Sequence, residues 1–337
     1  MYKMMVLKHP KSRIFTVLFC IITITTFLFS YNYSGPPSYF FKFAFRLSDN
    51  SVSKALCACS QCISVEDEDP WLMEHFNQSM TPLMSKKNSM LSEDTYKWWQ
   101  WIQSEKHPAN YKEVVQRLFQ VIPGEEHYMD SGPNRCRTCA VVGNSGNLKG
   151  SNYGALIDSN DYIIRMNKAP TSGYEKDVGR RTTHHVMYPE SAKNLQNDTH
   201  LVLIPFKILD LQWIISALTT GTIKYTYMPV MAKIKANKNK VLIYSPTFFK
   251  YVFDSWLEGH GRYPSTGFLT LMFAIHICDE VNVYGFGADK GGNWHHYWEN
   301  NLMGGAFRHT GVHDGDYEYN ITLLLASKNK IKIFKGR

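Results

Sequence analysis

From Cys139 to Phe334, short apolar runs rich in β-branched residues alternate with stretches of helical spacing, and this alternation restricts the fold more than any other feature of the chain. CAVVGN (139–144), DYIIRMN (161–167), THHVMYP (183–189), LVLIPF (201–206), VLIYS (241–245), VNVYGFG (281–287) and IKIF (331–334) read as strands. SNYGALI (151–157), ILDLQWIISALT (208–219), PTFFKYVFDSWLEG (246–259), PSTGFLTLMFAIHIC (264–278) and YEYNITLLLASKNK (317–330) read as helices. Pro246 suits a first helical turn, where a missing N–H costs nothing. Strands separated by helices come together through crossovers, which predicts an α/β domain, Rossmann-like, on a largely parallel sheet with helices on both faces. Strands apolar throughout fit a sheet covered on both sides, and such sheets bind ligands at the carboxyl ends of their strands. Residues 63–135 hold Trp71, Trp98, Trp99 and Trp101 in helix-like stretches and read as a helical cap, with KWWQWIQ (97–103) as a wall beside the site.

The N-terminus is of another kind. Ile14–Ser30 reads IFTVLFCIITITTFLFS, 17 residues without a charge, and the next charged residue is Lys42. Such a run can just span a bilayer as a helix. Lys3, Lys8, Lys11 and Arg13 precede it with no acid among them, which places that side in the cytosol. A cleaved signal peptide is disfavoured by the length of the run and by the bulky residues after Ser30. The expected order is a cytosolic tail (1–13), a signal-anchor transmembrane helix (14–31), a stem (32–62) opening on Gly35-Pro36-Pro37, and a lumenal domain (63–337). The short span suits a thinner membrane of the early secretory pathway or Golgi. Asn77, Asn197 and Asn320 head sequons on the lumenal side; Asn32 heads a fourth, too near the membrane to be used.

Charge and cysteine content follow from this topology. The 37 Lys and Arg exceed the 29 Asp and Glu by eight, but four of those cations orient the anchor, so nucleic acid drops out as a partner. Lys233, Lys235, Lys238 and Lys240 read as a solvated loop. With 44% apolar and 20% charged residues the chain is neither disordered nor, with one apolar run, polytopic. Cys20 lies in the anchor; Cys57, Cys59, Cys62, Cys136, Cys139 and Cys278 are lumenal, where disulfides are favoured over zinc. Cys139 opens a strand and Cys278 closes a helix, so their bridge would staple two halves of the domain. The spacing does not fix the connectivity of the cluster; Cys59–Cys136 with Cys57–Cys62 is preferred.

Three polar glycine turns fall at one sheet edge: Gly143-Asn144-Ser145-Gly146 after the first strand, Ser265-Thr266-Gly267 entering a helix, and Gly285-Phe286-Gly287 after a later strand. Backbone N–H groups at such turns can approach a phosphate. The first is neither G-x-G-x-x-G nor a Walker loop, so dinucleotide and triphosphate readings lose support. Trp294-His295-His296-Tyr297-Trp298-Glu299, then His309 and His313 to Glu318, lie among glycines 291, 292, 304, 305, 311 and 315 and read as a mobile lid carrying acid–base groups.

Together these segments resemble the eukaryotic sialyltransferase family. CAVVGNSGNLKGSNYG with the later IIRMNKAP is similar to its large sialylmotif, and PSTGFLTLMFAIHICDEVNVYGFGA to its small one. HYWE (296–299) is similar to the third motif, and His313 with Glu318 to the very small motif. The C-x-C-x-x-C cluster and the HYWE form most resemble the β-galactoside α-2,3 members that act on Gal-β-1,3-GalNAc of O-glycans.

The resemblance implies a GT-A-variant fold and inverting, metal-independent transfer of sialic acid from CMP-sialic acid, with no cofactor. The acceptors would be galactose-terminated glycoproteins or glycolipids, and the setting a Golgi type II membrane protein with a lumenal catalytic domain. Release by stem cleavage and homo-oligomer formation are left open. It further implies His313 as general base and His296 as donor to the departing phosphate. Asn144, Ser145, Asn167, Ser265, Thr266, Gly267 and Gly287 would bind the donor; Tyr263, Tyr227 and Gln103 would bind the acceptor. The D-x-D spellings at Asp67–Asp69 and Asp314–Asp316 read as chance. The rivals are another linkage or acceptor class, a non-catalytic glycan-binding protein of the same fold, an NAD(P)-dependent reductase and a metal-dependent glycosyltransferase.

Overall fold

Among the described residues eight strands form one sheet in the order β1-β6-β5-β4-β3-β2-β7-β8. They are β1 (Leu83–Met84), β2 (Thr138–Val142), β3 (Tyr162–Met166), β4 (His184–Met187), β5 (His200–Leu203), β6 (Val241–Tyr244), β7 (Glu280–Tyr284) and β8 (Lys332–Phe334). The computed structural model describes residues 57–60, 62, 63, 69–300 and 311–337. The tail, the apolar run 14–31, most of the stem, Glu66–Glu68, Gly304, Gly305 and His309 lie outside the described residues. Among the described residues no helix is long and apolar enough to cross a membrane.

All strand pairs are parallel except β1 with β6. Residues alternate between two apolar layers: Cys139, Val141 and Ile164 pack into one, Ala140, Val142 and Ile163 into the other. Both faces are therefore covered, as the apolar strand runs require. The edge strand β1 was not anticipated, because two residues carry no periodic signal and lie in the stretch read as helical.

The helices are α1 (Pro70–His75), α2 (Glu93–Ile102), α3 (Tyr111–Val121), α4 (Gly154–Asp158), α5 (Glu175–Val178), α6 (Ile208–Ala217), α7 (Pro246–Tyr251), α8 (Thr266–Ile277) and α9 (Gly315–Ser327). Six of these start on side-chain caps: Asp69, Ser92, Asn110, Ser245 and Ser265 accept from backbone N–H groups of the first turn. Asp314 does the same for α9. The helix expected over 246–259 is interrupted. After Tyr251 it widens into a π turn over Val252–Trp256, where the Leu257 N–H bonds the Val252 carbonyl at 3.1 Å. The wide turn seats the fully buried Trp256 indole 5.9 Å from Trp71.

Residues 69–135 do supply a cap, of α1, β1, α2 and α3. Trp99 anchors it: the ring is fully buried and its N–H donates to the Pro205 carbonyl at 2.8 Å. Helix α8 is the centre of the larger layer, with Phe268, Leu269, Leu271, Met272, Phe273 and Ala274 all buried. An apolar side chain this deeply buried contributes roughly 1.5–3 kcal/mol. The cysteines pair as Cys57–Cys62, Cys59–Cys136 and Cys139–Cys278, the connectivity preferred from the sequence. Beside the last bridge, Arg135 donates to both oxygens of Asp279 at 2.8 and 2.6 Å.

Chain order reverses at β2. From β2 the chain moves outward to β3, whereas β7 lies on its other side and leads to β8. The crevice between β2 and β7, at their carboxyl ends, is the place where a doubly wound sheet binds its ligand.

Candidate active site

A cavity of about 310 Å³ opens at that crevice. The turns after β2 and β7 clasp each other by backbone. Gly143 N–H donates to the Tyr284 carbonyl at 2.7 Å and Ser145 N–H to Gly285 at 3.0 Å. A Cβ on Gly143 would lie 2.4 Å from the Gly285 oxygen, so only glycine allows this approach. Gly287 has φ +85° and lies against the Tyr319 ring.

Asn144, Ser145 and Gly287 line the cavity from these turns, and Asn167 from the end of β3. Asn167 sits at φ 57°, held there by its N–H to Val186 at 2.8 Å and by His185 Nε2 on its carbonyl at 2.6 Å. The carboxamide oxygens of Asn144 and Asn167 are buried with no protein hydrogen-bond donor. Buried acceptors left in this state cost free energy unless a ligand donates to them.

Ser265, Thr266 and Gly267 bring the N-terminus of α8 into the same cavity. This end of a 12-residue helix carries partial positive charge and favours an anion. Its geometry depends on Glu318 of α9, which accepts from Ser265 N–H at 2.7 Å and from Ser265 Oγ at 2.5 Å. Burial pushes the Glu318 carboxyl up to about 7, against the pull of these bonds. From the sequence, Glu318 was legible only as the motif partner of His313, with no role attached. Its task shows once α8 and α9 are packed. Trp294, His295 and Tyr319 also line the cavity and were not among the candidate site residues.

His313 and His296 reach the cavity from segments far apart in the chain. His313 Nδ1 lies 2.8 Å from the Tyr263 carbonyl oxygen. A carbonyl only accepts, so Nδ1 carries the proton and the lone pair of the neutral ring is on Nε2. Burial holds the imidazole below its ordinary value, opposed by the Tyr263 carbonyl. His296 stacks on Trp298 at 4.4 Å and its Nδ1 meets Glu299 Oε1 at 2.9 Å. The segment expected as a mobile lid is tied down here, because Gly146 N–H bonds the His295 carbonyl at 2.7 Å and Tyr297 N–H bonds Asn144 at 3.0 Å.

The three acceptor candidates do not line this cavity. They form a second cluster joined to it through Tyr263, whose ring meets His313 edge-on at 5.0 Å. Gln103 Nε2 donates to the Tyr263 hydroxyl at 3.2 Å, and Lys207 Nζ to Gln103 Oε1 at 2.9 Å. Lys207 Nζ also lies 5.0 Å from the centre of the Tyr227 ring. Gln103 comes from the end of α2, so the KWWQWIQ stretch does border the site, with Trp101 exposed and Trp99 buried.

The D-x-D carboxylates have structural work: Asp69 caps α1 and binds Lys328, and Asp314 caps α9. Among the described residues no group of three or more His, Cys, Asp or Glu is placed to hold a metal ion. Asn77, Asn197 and Asn320 are all exposed.

These features define an α/β protein with a cavity suited to an anion at the switch point of its sheet. The comparisons narrow the class. Residues 83–330 match the model of glycosyltransferase family 29 (sialyltransferase). A Mus musculus protein named CMP-N-acetylneuraminate-beta-galactosamide-alpha-2,3-sialyltransferase 1 is 54% identical, over 96% of this chain and 97% of that one. The Homo sapiens protein of the same name is 50% identical over 99% of this chain and 100% of its own. A crystal structure of a mammalian sialyltransferase in complex with Gal-beta-1-3GalNAc-ortho-nitrophenol superposes with a TM-score of 0.78. It is 56% identical and covers 83% of this chain and 100% of its own. The chain belongs to glycosyltransferase family 29, the sialyltransferases.

Proposed function

We propose that this chain transfers sialic acid from CMP-sialic acid to the 3-hydroxyl of terminal galactose in Gal-β-1,3-GalNAc, on O-linked glycoproteins and on glycolipids carrying the same terminus. The names of its relatives support this linkage and acceptor class. The observation that carries the reading is the position of His313, which lines the donor cavity while its Nδ1 is pinned to Tyr263 of the acceptor cluster.

In this reading the α8 N-terminus and the turns at Gly143–Ser145 and Gly285–Gly287 hold the CMP phosphate and sugar, with Asn144 and Asn167 accepting from the nucleotide. The galactose 3-oxygen attacks the anomeric carbon of sialic acid from the face opposite CMP. The C–O bond to phosphate breaks, CMP leaves with the electron pair, and the hydroxyl proton passes to His313 Nε2. His296 donates to the departing phosphate. The leaving group is already a stable nucleotide phosphate, so no metal or cofactor is assigned a step. Gln103, Tyr227 and Tyr263 bind the acceptor galactose. Residues 14–31 anchor the chain in the Golgi membrane with the tail (1–13) in the cytosol and the stem (32–62) and catalytic domain (63–337) in the lumen.

The test is transfer from labelled CMP-sialic acid to Gal-β-1,3-GalNAc, Gal-β-1,4-GlcNAc and GalNAc, with linkage analysis and a parallel reaction in EDTA. The α-2,3 product on the first acceptor, insensitive to EDTA, is expected. Preference for another acceptor, another linkage, or loss in EDTA would overturn the corresponding part.

A further inference from the structure

We propose that Lys207 is a positioning residue for acceptor recognition: its ammonium orients the Gln103 carboxamide and the Tyr227 ring into the seat of the acceptor galactose. This rests on the acceptor role of Gln103, Tyr227 and Tyr263 given above.

Lys207 occupies the N-cap position of α6 and makes no capping bond with its side chain. A lysine is poorly suited to that place. It has no acceptor for the orphan N–H groups, and its charge opposes the positive end of the helix. It is also only 6% exposed. Helix formation does not explain a buried cation here, whereas its contacts do.

Asp210, in the first turn of α6, is the nearest acidic group, with Oδ1 3.0 Å from Nζ; burial pushes its carboxyl up to about 7, and the Lys207 ammonium pulls it back toward the charged form. Asp210 is itself completely buried and accepts the Phe206 N–H on Oδ2 at 2.8 Å. Glu190 lies 3.8 Å from Nζ and accepts the Thr226 hydroxyl, beside Tyr227 in the chain. The cation is thus held from below by carboxylates and meets two acceptor candidates directly.

Its effect on Gln103 is directional. A carboxamide can turn over by half a rotation, and its neighbours decide which end faces where. An ammonium only donates, so Lys207 fixes Oε1 towards itself at 2.9 Å. Nε2 must then donate to the Tyr263 hydroxyl, at 3.2 Å. With its oxygen accepting from Gln103, the Tyr263 hydroxyl directs its own hydrogen outward, as a donor to a ligand. Tyr227 is 55% exposed, and the attraction of Nζ for its ring face holds a side chain that would otherwise sample several rotamers.

The test uses the full-length chain in detergent. The Lys207→Met, Asp210→Asn double variant removes the closest ion pair together, while Glu190, 3.8 Å from the lost ammonium, keeps the Thr226 hydroxyl as its donor. Its KM for Gal-β-1,3-GalNAc should rise about tenfold or more, with KM for CMP-sialic acid and CMP binding within about twofold of wild type. Lys207→Arg keeps the charge in a planar fork and should raise the acceptor KM about threefold. Wild-type acceptor KM in both variants, or donor and acceptor constants rising together, overturns the inference. If the double variant fails to bind CMP because it does not fold, Lys207→Arg decides alone by the same criterion. A wild-type chain that does not sialylate this acceptor overturns the functional reading and this inference together. Transfer by wild type with unaltered variants overturns this inference only.

Discussion

His313 shows how one side chain is prepared by its surroundings. The Tyr263 carbonyl selects the tautomer and burial favours the neutral ring. Replacing it by alanine should lower kcat about 10²–10⁴-fold. CMP binding by calorimetry should persist, because the asparagines and the α8 N-terminus are untouched. The pH dependence follows in sign. A base whose value is held below the ordinary 6.5 stays competent as pH falls through 6.5 and is lost only lower. The acid limb of kcat/KM should therefore be centred below 6.5 in wild type; a limb at or above 6.5 would count against His313 as the base. The glycine turns and the histidine-rich stretch were legible from composition and spacing, and the resemblance to the family motifs singled out His296 and His313 within it. The role of Glu318, named only as a motif partner, and that of Lys207 were not legible. Each acts through a neighbour more than fifty residues away, Ser265 in one case and Gln103 in the other. No local pattern encodes such a contact.

Helices and strands were read correctly where the hydrophobic pattern was long, and missed where it was short or broken. The strand runs after β2 and the apolar helix α8 declared themselves by length. The two-residue β1 and the π turn after Tyr251 did not, because cross-strand pairing and the seating of Trp256 decide them. The clasp between the β2 and β7 turns makes its own prediction. Gly143→Ala must push back the Gly285 carbonyl, which lies 2.4 Å from the new carbon. Overpacking of this kind costs roughly 1–3 kcal/mol. Thermal unfolding should shift down, and KM for CMP-sialic acid should rise more than KM for the acceptor, since the distortion falls on the donor wall. Equal rises in both would show that the clasp serves the whole site.

The domain as a whole is closed by its covalent links and its buried layers. Cys139–Cys278 joins the start of β2 to the end of α8 across 139 residues of sequence. Replacing both by alanine should cost about 2–5 kcal/mol in chemical denaturation, while CMP binding survives at low temperature because neither cysteine lines the cavity. Loss of the site at every temperature would mean that the bridge shapes it directly. A fragment of residues 57–337 should stay in the supernatant after membranes are pelleted and keep transfer activity, since every residue assigned to the site lies within it. By itself the sequence determined the α/β class and the glycine turns, and it left the anchor as an expectation and the cysteine pairing as a preference. The fold class and the turns depend on periodicity, composition or short spacing, which are local properties of a chain. Only the tertiary structure decided that β2 and β7 are neighbours, that His313 lines the cavity while bonded to Tyr263, and that a buried lysine faces Gln103. Those contacts join segments up to 160 residues apart, such as Gln103 and Tyr263, and packing alone brings them together.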